Sequence, residues 1–294
     1  MKGWWFAAAA VACLLGRWLL SGRQVDATPL LFALAPVNAI SFAIRRKLAW
    51  TRGPVVHGNE PKDGLFEGSR ALAQREHQLC KRYDLERLRG ASTVHAYREN
   101  LYVLDILDRL ALPPQERVRA LDVGSQDFRY AFALARWLGR IADDITLTGI
   151  ELEGHRVYDD LHSRKEHAEA FAAEVDGASV DYCVADFLRY EAPAASIDVI
   201  SFFFPFVLEY ALVRWGLPRK FFSPKRMFDR AYSLLRPGGT VIIMNHTEAE
   251  RVRQVELLHE CGFVIESSVR AESKLVDYAA DVPERSLTVA RRPS

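Results

Sequence analysis

The chain of 294 residues carries 39 lysines and arginines against 38 aspartates and glutamates, a formal charge of +1, so no overall field draws it toward nucleic acid or an acidic polymer. Apolar residues make up 49% and aromatic residues 11%, enough to bury a full core and too many for an intrinsically disordered chain. Cys13, Cys80, Cys183 and Cys261 lack any Cys-x-x-Cys spacing, so neither a cysteine zinc site nor a disulfide framework can be read from them, and reduced thiols in a cytoplasmic compartment are the expectation.

Residues 1–50 differ from everything after them. "WWFAAAAVACLLGRWLL", residues 4–20, is apolar except for Arg17, and "PLLFALAPVNAISFAI", residues 29–44, repeats the pattern before Arg45, Arg46 and Lys47. Three readings are open. A removed signal peptide would explain Lys2 and a cleavage-like "AVAC", but the apolar run continues past Cys13 instead of turning polar. A membrane anchor would use both runs as a hairpin, each slightly short of the roughly 20 residues a spanning helix needs. Trp4, Trp5, Trp18 and Trp50 would sit at the interfaces, with the basic ends on the cytoplasmic side, although Pro36 and Asn38 count against a regular second span. The third reading is a pair of helices packed on the rest of the protein.

Residues 51–68, "TRGPVVHGNEPKDGLFEG", are rich in Gly, Pro and charge and mark a linker, followed by two helical patterns. The linker and the first helical region take up residues 51–92, and residues 93–294 form the main domain. Leu101, Leu104, Leu107 and Leu110 give the second pattern one apolar face, and "LPP" stops it. Short apolar runs at 118–123, 145–150, 180–184, 197–204 and 240–244 then alternate with longer amphipathic stretches. Strands buried on both faces and joined by helices predict a parallel, doubly wound sheet. "GFVIESSVR" and "RSLTVARR" have no long helix between them and so predict an antiparallel hairpin.

Five parallel strands closed by such a hairpin resemble the seven-stranded class I methyltransferases that use S-adenosylmethionine, over residues 93–292. The resemblance implies an α/β, doubly wound, mostly parallel seven-stranded sheet with a terminal antiparallel hairpin, here with an apolar helical N-terminal extension. In that family the turn after the first strand reads acidic-x-Gly-x-Gly-x-Gly. Here Asp122 and Gly124 match, while Gln126 and Phe128 stand where the next two glycines would be. Asp122, Gly124 and Ser125 are therefore assigned to the cofactor. Glu151, with Glu153 as rival, follows the second apolar run, where a carboxylate can accept from two ribose hydroxyls. Asp186 and Phe187 follow the third, where the resemblance implies a contact to the adenine amino group and packing on its ring. "RPGG" at 236–239 is expected as the turn between a helix ending at Leu235 and the fifth strand.

Catalytic candidates come from the ends of the fourth and fifth strands: Glu209, Tyr210 and His246, as bases or substrate holders. Phe204-Pro205-Phe206 lacks the polar first residue of the Asn/Asp-Pro-Pro-aromatic turn that some of these enzymes use for amino groups. Thr247 and Glu250 read as a capping box, which removes Glu250 from that set. "HSRKEH", residues 162–167, reads as a solvated helix exterior, and His155, His162 and His167 show no metal spacing, so no metal is expected. The implied activity is methyl transfer from S-adenosylmethionine to a small-molecule or lipid acceptor, with no nucleic acid and no protein partner indicated. Two alternatives are a catalytically silent binding module on the same fold and a nicotinamide-dependent oxidoreductase.

Overall fold

The computed structural model describes residues 32, 33, 35–276 and 285–294. The run 4–20, and the readings built on it, lie outside them. In chain order the elements are α1 (Ala35–Leu48), α2 (Arg70–Tyr83), α3 (Glu86–Ala91), α4 (Val94–Leu107), β1 (Arg117–Val123), α5 (Ala131–Leu138), β2 (Asp144–Glu151), α6 (Arg164–Ala173), β3 (Ser179–Val184), β4 (Ile197–Phe203), α7 (Glu209–Trp215), α8 (Pro224–Leu234), β5 (Leu235–Asn245), α9 (Glu248–Glu260), β6 (Val264–Arg270) and β7 (Ser286–Arg291). They fall into two compact units, a smaller one of the chain up to Leu48 with Phe206–Pro224, and a larger one of Ala49–Pro205 with Lys225–Ser294.

In the smaller unit α1 buries Phe42 against Phe221, with ring centroids 5.0 Å apart, and Asn38 donates to the Val213 carbonyl. Among the described residues no helix is long and apolar enough to cross a membrane.

The larger unit is built on a seven-stranded sheet in the order β3-β2-β1-β4-β5-β7-β6. Strands β1 to β5 are parallel, and β7 runs antiparallel between β5 and β6, as the apolar runs and the terminal pair predicted. Burial follows position: central β4 is buried along almost its whole length, whereas the edge strands β3 and β6 alternate between half-buried and exposed residues. One boundary differs from expectation. α8 ends at Leu234 and β5 begins at once, so Arg236 to Gly239 form the irregular first turns of the strand rather than a separate loop, with a register shift opposite Ile197 and Val199. Gly239 is tightly enclosed there, since a Cβ would come within 2.9 Å of the Arg236 carbonyl and 3.2 Å of the Asp198 carbonyl.

One face of the sheet is covered by α5, buried at every residue but Arg136, and by α4, buried along most of its length. A helix wrapped in apolar contacts must satisfy any polar group it carries. Asn100 of α4 does so with three bonds: its amide nitrogen donates to the Ala96 and Arg129 carbonyls, both at 2.8 Å, and its oxygen accepts from the Ala133 backbone at 2.9 Å. The last of these caps the first turn of α5 and so fixes the turn between β1 and α5. Asp105 ties the same helix to the segment after β6, accepting from Arg75, Ser273 and the Lys274 backbone.

Replacing Asn100 with Leu leaves a buried N–H and a buried carbonyl unpaired. The loss expected in urea-unfolding free energy is about 2–4 kcal/mol, with far-UV circular dichroism of the folded chain unchanged.

Candidate functional site

The C-terminal ends of β1, β2 and β3 lie side by side, with Val123 opposite Ile150 and Glu151 opposite Val184. The turn leaving β1 adopts left-handed backbone at three alternate residues: Gly124 at φ +82°, Gln126 at +52° and Phe128 at +53°. These are the positions where the resembled family has glycine, and left-handed geometry costs a residue with a Cβ roughly 1–2 kcal/mol. Two side chains thus stand at left-handed positions of this turn.

The neighbours explain how. The Gln126 N–H donates to Glu151 Oε2 at 2.9 Å, the Tyr182 hydroxyl donates to the Gln126 carbonyl, and the Gly124 N–H donates to the Ile150 carbonyl at 2.8 Å. The Phe128 ring is fully buried over Gly149. A Cβ at Gly149 would lie 2.9 Å from both the Phe128 ring and Ser125 Oγ, so the strand needs glycine at that point. Over Gly124 the reverse holds, because a Cβ there would meet nothing within 4 Å. The Ser125 hydroxyl is buried and makes no hydrogen bond.

The three acids behave differently. Asp122 is fully buried and braces the sheet: Ser201 of β4 donates to one oxygen at 2.6 Å and Tyr130 to the other at 2.8 Å. Burial pushes its carboxyl up to about 7, aided by the charge of Glu151 and opposed by the two hydroxyls. Glu151 is 6% exposed and accepts from Gln126 and, through Oε1, from the Glu153 backbone at 2.7 Å. Each of its oxygens retains a further acceptor position. Glu153, the rival, lies buried in the turn and offers its backbone to Glu151. Asp186 caps the short 3-10 turn Phe187–Arg189 by accepting from Leu188 at 3.0 Å. Phe187 is buried edge-on against Phe202, with ring centroids 5.8 Å apart.

Residues that the motifs did not single out close over this edge. Arg164, 3% exposed, donates to the Tyr158 hydroxyl at 3.2 Å and comes within 4.0 Å of Glu151, and Tyr158 in turn donates to Asp127 at 3.3 Å. Tyr158 lies in the turn after β2 and Arg164 opens α6, with no recognisable pattern to mark them, and only the fold brings them here. "HSRKEH" is also corrected: Ser163 is the N-cap of α6, so the stretch straddles a turn and a helix start, and Ser163, Arg164 and Glu166 are buried rather than solvated.

At the ends of β4 and β5, His246 stacks on Phe204 with centroids 3.8 Å apart and planes 8° from parallel, and the Arg285 guanidinium lies 5.0 Å from the Phe204 ring. Asn245, last in β5, is fully buried with both amide atoms unpartnered, a residue passed over in favour of its neighbour His246. Thr247 and Glu250 form the expected capping box. Glu209 and Tyr210 belong to the smaller unit, where Glu209 accepts from Arg219 at 2.7 Å and Tyr210 is exposed.

No family model matches the chain, and no curated protein matches it. Solved structures do. A SAM-dependent methyltransferase from Aquifex aeolicus is 13% identical at a TM-score of 0.45, covering 64% of this chain and 88% of that one. The 4+2 cyclase SpnF is 16% identical at 0.49, covering 82% and 99%. Geranyl diphosphate C-methyltransferase from Streptomyces coelicolor is 13% identical at 0.46, covering 85% and 97%. The sheet order itself decides the architecture. The fold is that of the class I methyltransferases.

Because the folded-state value for Asp122 lies above the ordinary 3.8, protonation favours the folded chain. Its contribution is complete below about pH 4 and is lost as pH rises through 7. In Asp122→Asn that decline should flatten, as read from urea midpoints measured between pH 4 and pH 8.

Proposed function

We propose that the chain binds S-adenosylmethionine at the C-terminal ends of β1 to β3 and transfers its methyl group. One observation carries this reading: left-handed backbone is held at all three alternate positions after β1, two of them against the preference of their own residues, beside a carboxylate at the tip of β2. The residues present fit the cofactor. The space over Gly124 admits a ligand against backbone, the unpartnered Ser125 hydroxyl is a ready donor, and Glu151 keeps acceptor capacity for a ribose diol. Asp186 would accept from the adenine amino group.

When bound, the cofactor supplies a methyl carbon activated by its sulfonium. The chain's task is then alignment and exclusion of water, worth on the order of 7–11 kcal/mol when geometry is good. His246, steadied by its stack on Phe204, is suited to take a proton from an acceptor hydroxyl or thiol.

An apolar or lipid acceptor has support from α1. Val37, Ile40, Ile44 and Leu48 are all exposed and fall within an arc of about 80° at about 100° per residue. Arg45 and Lys47 flank that stripe on either side, a combination suited to an anionic bilayer surface, while Arg46 lies on the opposite face. The full chain should co-sediment with anionic vesicles, and Ile40→Glu with Ile44→Glu should abolish this. Equal recovery in the supernatant with and without vesicles would remove the lipid acceptor.

Calorimetric titration with S-adenosylhomocysteine tests the cofactor. Saturable binding is expected, weakened about threefold to tenfold in Ser125→Ala, which breaks no hydrogen bond of the folded chain. A second reading, a silent binding module, is favoured by the Phe128 ring and by the backbone partners that Glu151 already has. Absence of heat at high ligand concentration would establish it over the first.

A further inference from the structure

A second cluster of chemistry-bearing side chains lies in the turn between β2 and α6, apart from the acids of the sheet edge. Asp160 Oδ2 is 3.2 Å from His162 Nδ1 and 3.0 Å from His167 Nε2, and the three atoms lie within 4.8 Å of one another. Ligand atoms held at about 2.0–2.1 Å around a tetrahedral zinc are about 3.3 Å apart, so two of these separations already approach that figure. Leu161, between the first two residues, has left-handed backbone at φ +65°, strain of the kind found at ligand clamps, and it sets Asp160 and His162 side by side.

The contacts behind His167 fix its ring. Glu174 Oε1 lies 2.9 Å from His57 Nδ1, and His57 Nε2 lies 3.4 Å from His167 Nδ1, so His167 is backed by a second imidazole and a carboxylate. Its other nitrogen, Nε2, is shut off from solvent and faces the Asp160 carboxylate oxygen at 3.0 Å. The stack of His57 on Phe171, at 3.6 Å and 14°, holds the ring that backs His167.

We propose that Asp160, His162 and His167 form a site for one divalent transition-metal ion, with zinc the ion that suits them best. Two imidazoles and a carboxylate are borderline ligands of the type zinc accepts, and the half-exposed Asp160 leaves a fourth position open to water. His57 and Glu174 act as the outer partners that orient His167. The bound ion would fasten the turn to the first two turns of α6. That turn also holds the segment after Ala49, since Trp50 donates to the Leu161 carbonyl at 2.9 Å and Arg52 to the Asp160 carbonyl.

The test uses the full chain, stripped with chelator and titrated with zinc or cobalt(II) alone. One equivalent per chain is expected, with a cobalt visible spectrum of tetrahedral nitrogen and oxygen ligation. Asp160→Asn and His162→Gln should each weaken zinc at least tenfold, His57→Phe about 10–100-fold, and His155→Gln not at all. No saturable binding, binding indifferent to both Asp160→Asn and His162→Gln, or a cobalt–thiolate band pointing to cysteine would each overturn the proposal. Should a substitution unfold the chain, the cobalt spectrum of the unaltered protein still decides.

Discussion

The turn that leaves β1 at the C-terminal edge of this sheet depends on a buried carboxylate that braces strained backbone. Glu151 accepts from the Gln126 N–H, Tyr182 donates to the Gln126 carbonyl and the Phe128 N–H donates to the Ser125 carbonyl, and these bonds hold Gln126 and Phe128 in left-handed backbone. Two such residues cost roughly 2–4 kcal/mol together. A charge-assisted bond at Gln126 returns about 1.5–3 kcal/mol and the Tyr182 hydroxyl about 0.5–1.5. Those terms nearly balance. Burial of the Phe128 ring, worth about 1.5–3 kcal/mol, tips the sum toward the observed turn.

Continuous apolar runs announced β1 to β5, because strands covered on both faces need no polar alternation. The terminal hairpin and the capping box at Thr247 were equally plain, since each is written in residues close together. The early start of β5 was hidden by "RPGG", whose composition signals a loop while its enclosed glycine is carried into the strand by packing. The turn after β1 was harder still. Its conformation is dictated by Glu151, 25 residues further on, so residue types at 126 and 128 argue against a geometry that the fold imposes.

The histidine cluster was illegible for a related reason. His57 meets Glu174 across 117 residues and His167 across 110, and "HSRKEH" looks solvated until Ser163 is known to start the helix. Asn100 and Asp105 make the same point inside α4. A pattern of leucines marks the helix, but not the polar residues through which it positions α5 and the segment after β6.

The close approach of Phe128 to Gly149 couples the turn after β1 to β2 through shape. With the ring seated over the strand, any side chain at 149 collides with it and with Ser125 Oγ; a smaller residue at 128 relieves the first of these contacts. Neither position is therefore free to drift by itself. In chains descended from a common ancestor with this one, bulk at the first site and its absence at the second should be inherited as a linked pair.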